Sequence, residues 1–428
     1  MGLRSKGLVL AMEEDAVVED DFSSNEIPET VAEVEVDASE IQEDTGVIED
    51  ISEAIEDASD DMDTLEGIQG VMEESVEKGE GLDETAAEIA EVAIEAICAR
   101  LGISKANKIM PAMESFGSSN SRVAATKIAM EGVGDTLKRI WQAIKDAFAK
   151  AWNHIVDFYK KHIASLGRLS KYADSLKAKA KESASKKPKK DSEGITSSAV
   201  LSAFNIGGKV DAKTTGDILS AHLALTGNVV SAKTLMQKSV KDLLDGTDKL
   251  DSFDPAGFRS LSNKLNTELH SNVKELVGGY TMAEHTGSDV EGGVASRLIA
   301  KFTAAQAKSK AEKAPVLELA EIEKILESVS NLIKKSEAYN SELKFFTGVV
   351  DSIKKIADAN ISNADKLAEA TNQSPESKEK LATIRKETEA YMGALQRITT
   401  SIPSLNFRAA KSALSYVNDS LNQYEAAK

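Results

Sequence analysis

The sequence predicts an all-α protein with a largely disordered acidic N-terminal segment, a long amphipathic helix and a C-terminal helical bundle. Three observations lead to this fold class. Aromatic residues make up only 5% of the 428 residues and there are only 7 prolines, a composition that favours helix over sheet. Apolar side chains recur at steps of three and four residues over much of the chain. No stretch of useful length alternates apolar and polar residues as a strand does.

The N-terminal third of the chain is strongly acidic. Residues 1–131 contain 34 Asp and Glu against 8 Lys and Arg, and residues 14–80 contain a single basic residue, Lys78. A segment with high net charge and few large apolar groups buries too little surface to offset its chain entropy. We therefore expect disorder or weak helix here, apart from one helix near residues 83–101 that Asp83 caps.

The next segment carries the clearest helical pattern of the sequence. Its apolar and aromatic residues recur at three- and four-residue steps, and lysines and arginines occupy other positions. Three interpretations of this face are open: packing in the protein core, docking on another protein, and contact with a membrane, which several Asp residues disfavour. The residues of the face are Leu137, Ile140, Trp141, Ile144, Phe148, Trp152, Ile155, Phe158 and Tyr159.

Lysines then cluster around a single proline, and long amphipathic segments follow. Lys186, Lys187, Lys189 and Lys190 are candidates for sequence-independent contact with nucleic acid, since isolated lysines pair with phosphates without reading bases. Beyond them, long helices near 316–337, 341–370, 376–398 and 405–425 favour an antiparallel bundle. The predicted parts are 1–13 (leader), 14–131 (acidic segment, mostly disordered, with one helix near 83–101), 132–176 (aromatic amphipathic helix), 177–196 (Lys-rich linker) and 197–428 (helical bundle).

The sequence contains no pattern that indicates an enzyme, a cofactor site or a metal site. The five histidines are scattered, and neither a phosphate-binding loop nor a nucleophile motif is present. Cys98 lies on an apolar helix face, where a small buried side chain is the expected role. We therefore expect no catalytic residues, no cofactor and no metal.

The tripeptide Ala-Met-Glu occurs three times although the chain has only ten methionines. At this composition roughly one Met in a hundred should have these two neighbours by chance. Each copy lies where the character of the sequence changes, which is typical of processing sites. The alternative is a coincidence of helix turns, because all three residue types favour helices. The copies are Ala11, Met12 and Glu13; Ala112, Met113 and Glu114; and Ala129, Met130 and Glu131.

This layout resembles the internal head proteins of large tailed bacteriophages, which belong to the prohead core. The resemblance implies that a prohead protease cuts after Glu, two residues beyond a small or aliphatic residue, and removes an acidic propeptide. It also implies capsid or other core proteins and packaged DNA as partners, synthesis in the bacterial cytoplasm and a final place inside the head. Cleavage after Glu131, the favoured site, would leave residues 132–428, with 36 acidic and 44 basic residues.

Four further Ala-x-Glu tripeptides end at Glu40, Glu56, Glu88 and Glu95, either as additional cuts or by chance. Two other functions remain as alternatives to the internal head protein. One is a membrane-active protein that is ejected with the genome or forms a pore. The other is a non-enzymatic bacterial interaction protein with an acidic tail.

Overall fold

The computed structural model of the protein describes residues 31–102, 109–189, 194–282, 302–304, 310–369 and 375–426. Helices dominate these ranges, which confirms the all-α class and the C-terminal bundle. The α-helices are α1 (Val31–Glu77), α2 (Glu84–Arg100), α3 (Ser119–Glu182), α4 (Ser198–Phe204), α5 (Ala212–Asp248), α6 (Pro255–His270), α7 (Leu319–Asn340), α8 (Leu343–Glu369) and α9 (Pro375–Leu421).

Short elements connect and close the helical body. Single 3-10 turns lie at Met113–Phe116, Leu250–Ser252 and Val277–Gly279. Two antiparallel pairs of three-residue strands occur in the described ranges. The pairs are β1 (Lys186–Pro188) with β4 (Tyr424–Ala426), and β2 (Tyr280–Met282) with β3 (Phe302–Ala304).

Helix α1 corrects the expectation of disorder or weak helix for residues 31–77. It has 18 Asp and Glu and no Lys or Arg among its 47 residues, yet its buried side chains repeat every seven residues in two rows three or four positions apart. This is the a/d pattern of a coiled-coil seam, which gathers a minority of apolar groups onto one face. The rows are Val34, Ile41, Ile48, Ile55 and Met62, and Ile51, Ala58, Leu65 and Met72.

Helix α3 contains the predicted aromatic helix and extends beyond it at both ends. It begins at Ser119 and ends at Glu182, so it includes the third Ala-Met-Glu copy and the first residues of the predicted Lys-rich linker. Gly132 and Gly134 lower the local helix propensity but do not end the helix, because α3 packs along α1 and α9. Helix α2 agrees with its expected position near 83–101, and Asp83 caps it by accepting a hydrogen bond from the backbone N–H of Ala86.

Helix α9 is the centre of the bundle and packs against α1, α3, α5, α7 and α8. Two helices near 376–398 and 405–425 were expected here, and the structure has one, with Pro403 inside it. A proline in a helix interior leaves a backbone carbonyl without its partner, and the surrounding helices hold α9 together across this position. One cluster of buried apolar side chains runs from Val34 in α1 to Leu421 in α9, so the acidic helix belongs to the same core as the bundle.

Candidate processing sites and the acidic helix interface

Glu114 lies in an exposed turn between the acidic helices and the rest of the protein. Ala112 and Glu114 are exposed, and Met113 begins a 3-10 turn that lies between α2 and α3. Buried side chains anchor this turn on both sides, since Met110 is 3% exposed and Phe116 is fully buried. An exposed turn of this kind enters a protease cleft with little unfolding.

Glu131, the site favoured by the sequence, lies about three turns into α3. Its side chain is exposed, but Ala129 is fully buried and Met130 is half-buried. A protease reaches this bond only when the first turns of α3 unfold. The first copy, which ends at Glu13, lies outside the described residues. Of the two copies within the described residues, the second lies in an exposed turn and the third lies in a helix.

The four additional Ala-x-Glu tripeptides all lie on the acidic helices. Glu40 and Glu56 are on α1, and Glu88 and Glu95 are on α2. None of the four glutamates is buried. Cuts at these positions would break α1 and α2 internally, whereas a cut after Glu114 would fall between helices.

Acidic residues of α1 pair with basic residues of α3 along an antiparallel contact. Asp37, which is only 5% exposed, accepts two hydrogen bonds from the guanidinium of Arg168, with Nε 2.7 Å from Oδ2. Asp44 accepts from Nζ of Lys161 at 3.2 Å. Seven residues forward on α1 thus correspond to seven residues backward on α3. The ion pairs and the heptad seam fix the same register.

A second set of pairs joins α1 to the central helix α9. Asp63 accepts a hydrogen bond from Nη2 of Arg385 at 2.9 Å, and Glu66 accepts from the same nitrogen at 2.7 Å. Nζ of Lys386 lies 3.0 Å from Asp63. These contacts lower the pKa of Asp63 although burial, the largest single influence, acts to raise it. The guanidinium of Arg397 donates a hydrogen bond to Glu56, which lies seven residues before Asp63 on α1.

Glu389 is the buried carboxyl of this interface. It is 7% exposed, it accepts a hydrogen bond from the hydroxyl of Ser59 and it lies 3.7 Å from Nη1 of Arg385. Burial raises the pKa of Glu389 to about 7, and the attraction of Arg385 and the Ser59 hydrogen bond only partly oppose that shift. Asp63 and Glu66 add to the increase because their negative charges disfavour a third carboxylate nearby. The contact between α1 and α9 therefore includes a group that titrates near neutral pH.

The Lys-rich segment forms an exposed strand at the end of α3. Lys186, Lys187 and Lys189 are exposed, and Lys187 lies opposite Glu425 of β4. Lys190 lies outside the described residues. The structure thus brings three of the four candidate lysines together on one short edge.

The aromatic face of α3 lies in the protein core, which is the first of its three interpretations. The indole Nε1 of Trp141 donates a hydrogen bond to the carbonyl oxygen of Ala357 in α8, at 3.0 Å. Leu137 is partly buried and packs on the core. The remaining residues of the face are at most 4% exposed: Ile140, Trp141, Ile144, Phe148, Trp152, Ile155, Phe158 and Tyr159.

The described residues contain no group of three or more His, Cys, Asp or Glu side chains arranged to hold a metal ion. In the same part of the chain, no helix combines the length and the apolar character needed to cross a membrane. Cys98 is buried, and burial raises the pKa of its thiol.

Comparison with known proteins identifies the family. The model of the phiKZ-like phage internal head proteins matches residues 29–419, from just before α1 to the last turn of α9. The chain belongs to this family. No curated protein and no solved structure matches it significantly. The internal head protein is therefore a virion structural protein whose place is the interior of the phage head, as the resemblance implied, rather than a bacterial interaction protein.

The interface of the acidic helix α1 with α3 and α9 was not predicted from the sequence of the internal head protein. The strict seven-residue spacing of apolar residues in α1 was a usable signal, as was the matching spacing of Asp37 and Asp44 with Lys161 and Arg168. The partners of α1 on α9 had no such signal. They lie more than 300 residues away along the chain, and only the packing of the whole bundle brings them together.

Proposed function

We propose that the protein is made in the bacterial cytoplasm as an acidic precursor and co-assembles with capsid or other core proteins in the prohead. The prohead protease then cuts it after Glu, and a basic helical product stays beside the packaged genome. The role is structural and involves no catalysis. The observation that carries this proposal is the exposed turn at Glu114 in a chain of the internal head family. That turn separates the acidic helices from the basic remainder.

Cleavage after Glu114 inverts the charge of the larger fragment. Residues 1–114 contain 33 Asp and Glu against 6 Lys and Arg, which gives a net charge of −27. Residues 115–428 contain 37 Asp and Glu against 46 Lys and Arg, which gives +9. A basic product neutralises phosphates that would repel the precursor. The exposed strand with Lys186, Lys187 and Lys189 supplies contacts of this sequence-independent kind.

The exposure of the two described sites sets an expected order of cleavage. Glu114 is cut first because its turn is already accessible. The first turns of α3 then become a free helix end, and Gly132 and Gly134 cost the helix about 1 kcal/mol each relative to Ala. Local unfolding at that end exposes the bond after Glu131 to the second cut.

The mature chain in assembled particles tests the proposal directly. Mass spectrometry and N-terminal sequencing should find a start at Ser115, at Gly132, or a mixture of the two. The variant Glu114→Gln should block both products, and Glu131→Gln should leave only the product that begins at Ser115. The control is Glu80→Gln. Glu80 is exposed, but the residue two positions before it is Lys78, where the cleavage motif has Ala. An intact N-terminal region in mature particles would contradict the proposal.

A further inference from the structure

Five basic residues of α3 and α9 lie beneath the acidic helix, and we call them the cationic face. They are Lys161, Arg168, Arg385, Lys386 and Arg397. Each is paired with a carboxylate of α1: Lys161 with Asp44, Arg168 with Asp37, Arg385 with Asp63 and Glu66, Lys386 with Asp63, and Arg397 with Glu56.

The acidic helix presents these carboxylates along a single anionic rod. From Asp37 to Glu66 the rise of an α-helix gives about 40 Å, somewhat more than one turn of B-DNA at roughly 34 Å. Its 47 residues carry no positive charge at all. The groups that it contacts on α3 and α9 are therefore spread over a length comparable with one turn of a DNA duplex.

We propose that α1 occupies in cis a surface for double-stranded DNA, and that the surface opens when α1 leaves. DNA is the occupant that charge complementarity selects, because phosphates replace the carboxylates on the same cations. The inference rests on the proposed function, since proteolysis is what removes α1 in the head. The cationic face would be a second DNA contact beside the exposed lysine strand, and α1 would keep it covered in the precursor.

Packing holds the rod in place, so that charge alone does not open the face. Ile48 and Ile55 are each 1% exposed in the seam of α1. Residues 78–83 form the connection to α2, where Gly79 is exposed, has a φ of 75° and lies in open space. A protease site inserted after Gly79 lies outside both helices and interrupts only the hydrogen bonds from the N–H groups of Glu80 and Gly81 to the carbonyl oxygen of Ser75.

The test uses the full chain with a site-specific protease sequence inserted after Gly79 and with Ile48→Ala and Ile55→Ala to weaken the seam. Cutting at the inserted site should release α1, which gel filtration and mass spectrometry detect. Binding to an unrelated DNA duplex, measured before and after the cut, should then rise at least about tenfold near 0.1 M salt. The slope of log affinity against log salt should steepen by about 4, from five uncovered cations.

Two half-exposed cations of the face give the matched variants. Lys161→Gln with Lys386→Gln should remove about 2 from the gain in slope. Lys160→Gln is the control, because Lys160 is 73% exposed on the same helix and pairs with Asp157 rather than with α1. Replacing Lys186, Lys187 and Lys189 by Gln should lower DNA binding equally before and after the cut. This result would distinguish the contribution of the lysine strand from that of the cationic face.

Three results would overturn the inference. The first is release of α1 without a gain in DNA affinity. The second is a gain that Lys161→Gln with Lys386→Gln leaves unchanged. The third is self-association of the uncovered chain through the seam in place of DNA binding. Because the cut is engineered, none of these results depends on whether the prohead protease recognises Glu114, so the proposed function stands or falls separately.

Discussion

At the scale of single residues, burial and a neighbouring positive charge act in opposite directions on the pKa of Glu389. Its carboxyl lies under α1, and its pKa is raised to about 7 because desolvation outweighs the attraction of Arg385. A carboxyl with a raised pKa binds more protons in the folded than in the unfolded protein. The free energy of unfolding therefore falls as the pH rises from about 4.5 to about 7, and the loss is complete above that range.

Glu389→Gln should remove this pH dependence. Because burial raises the pKa of Glu389 to about 7, deprotonation costs the folded state roughly 3 kcal/mol, and the variant should be more stable than the parent at pH 8 by up to that amount. Urea unfolding at several pH values between 4 and 8 measures the effect. Glu379→Gln, at an exposed position on the same helix, is the control and should leave the pH profile unchanged. An identical slope in the Glu389→Gln variant would show that another group titrates here.

Two glycines of α3 respond to substitution in opposite directions. A Cβ on Gly132 would lie 2.8 Å from the backbone oxygen of Ile109, whereas a Cβ on Gly134 would meet nothing within 4 Å. Gly134→Ala should stabilise the protein by up to about 1 kcal/mol, as expected for a helix interior. Gly132→Ala should destabilise it because backbone atoms must move.

Thermal unfolding of the two alanine variants, compared with the parent, tests whether their stabilities change in opposite directions. Stabilisation by both substitutions would mean that residues 109–110 do not press on α3. The comparison also bears on processing, since Gly132 follows the candidate bond after Glu131. The tight contact with Ile109 favours the helical form of this bond while the chain before Glu114 is continuous, and the cut after Glu114 makes local opening of this contact easier.

At the scale of elements, the acidic helix depends on its seam rather than on its charges. Ile55→Ala should cost about 2–4 kcal/mol, because it removes a fully buried side chain from a packed interface. Val47→Ala, at a position 45% exposed on the same helix, should change the stability by no more than about 0.5 kcal/mol. Hydrogen exchange should show protected amides over residues 34–72 in the parent and faster exchange there in Ile55→Ala. Fast exchange in the parent would favour the disordered segment that composition predicts.

The contrast between α1 and α3 shows how far the sequence predicts this fold. The apolar face of α3 is dense in aromatic residues, so its helical period is evident from local spacing. In α1 the same information is present, but 18 carboxylates dilute it, and an argument from average composition overlooks a seven-residue repeat. The start of α3 was placed after Glu131 because the chemistry of the sequence changes there. The helix begins earlier, at Ser119, and its first turns contact the 3-10 turn at Met113–Phe116 and residues 81–82, tertiary contacts that leave no local signature.

At the scale of the whole molecule, cutting the chain and losing the acidic helix are separate events. One apolar cluster joins α1 to the bundle, so a single cut after Glu114 breaks a covalent bond without opening the interface. The two fragments, with net charges of −27 and +9, should stay together. We expect the cut protein to elute from gel filtration at the position of the precursor and to bind an anion exchanger as the precursor does.

Release requires that α1 be divided, because its stability on the bundle comes from a long continuous seam. Cuts after Glu40 and Glu56 leave pieces of 10, 16 and 21 residues from a helix of 47. Helices shorter than about 12–15 residues are marginal in isolation, and each piece keeps only part of the seam. After cuts at Glu40, Glu56 and Glu114 the remaining chain should therefore lose α1 and bind a cation exchanger. Glu40→Gln with Glu56→Gln should keep α1 bound after the cut at Glu114. Release of the acidic fragment by that single cut, at physiological salt, would show that charge repulsion and not the length of the seam controls maturation.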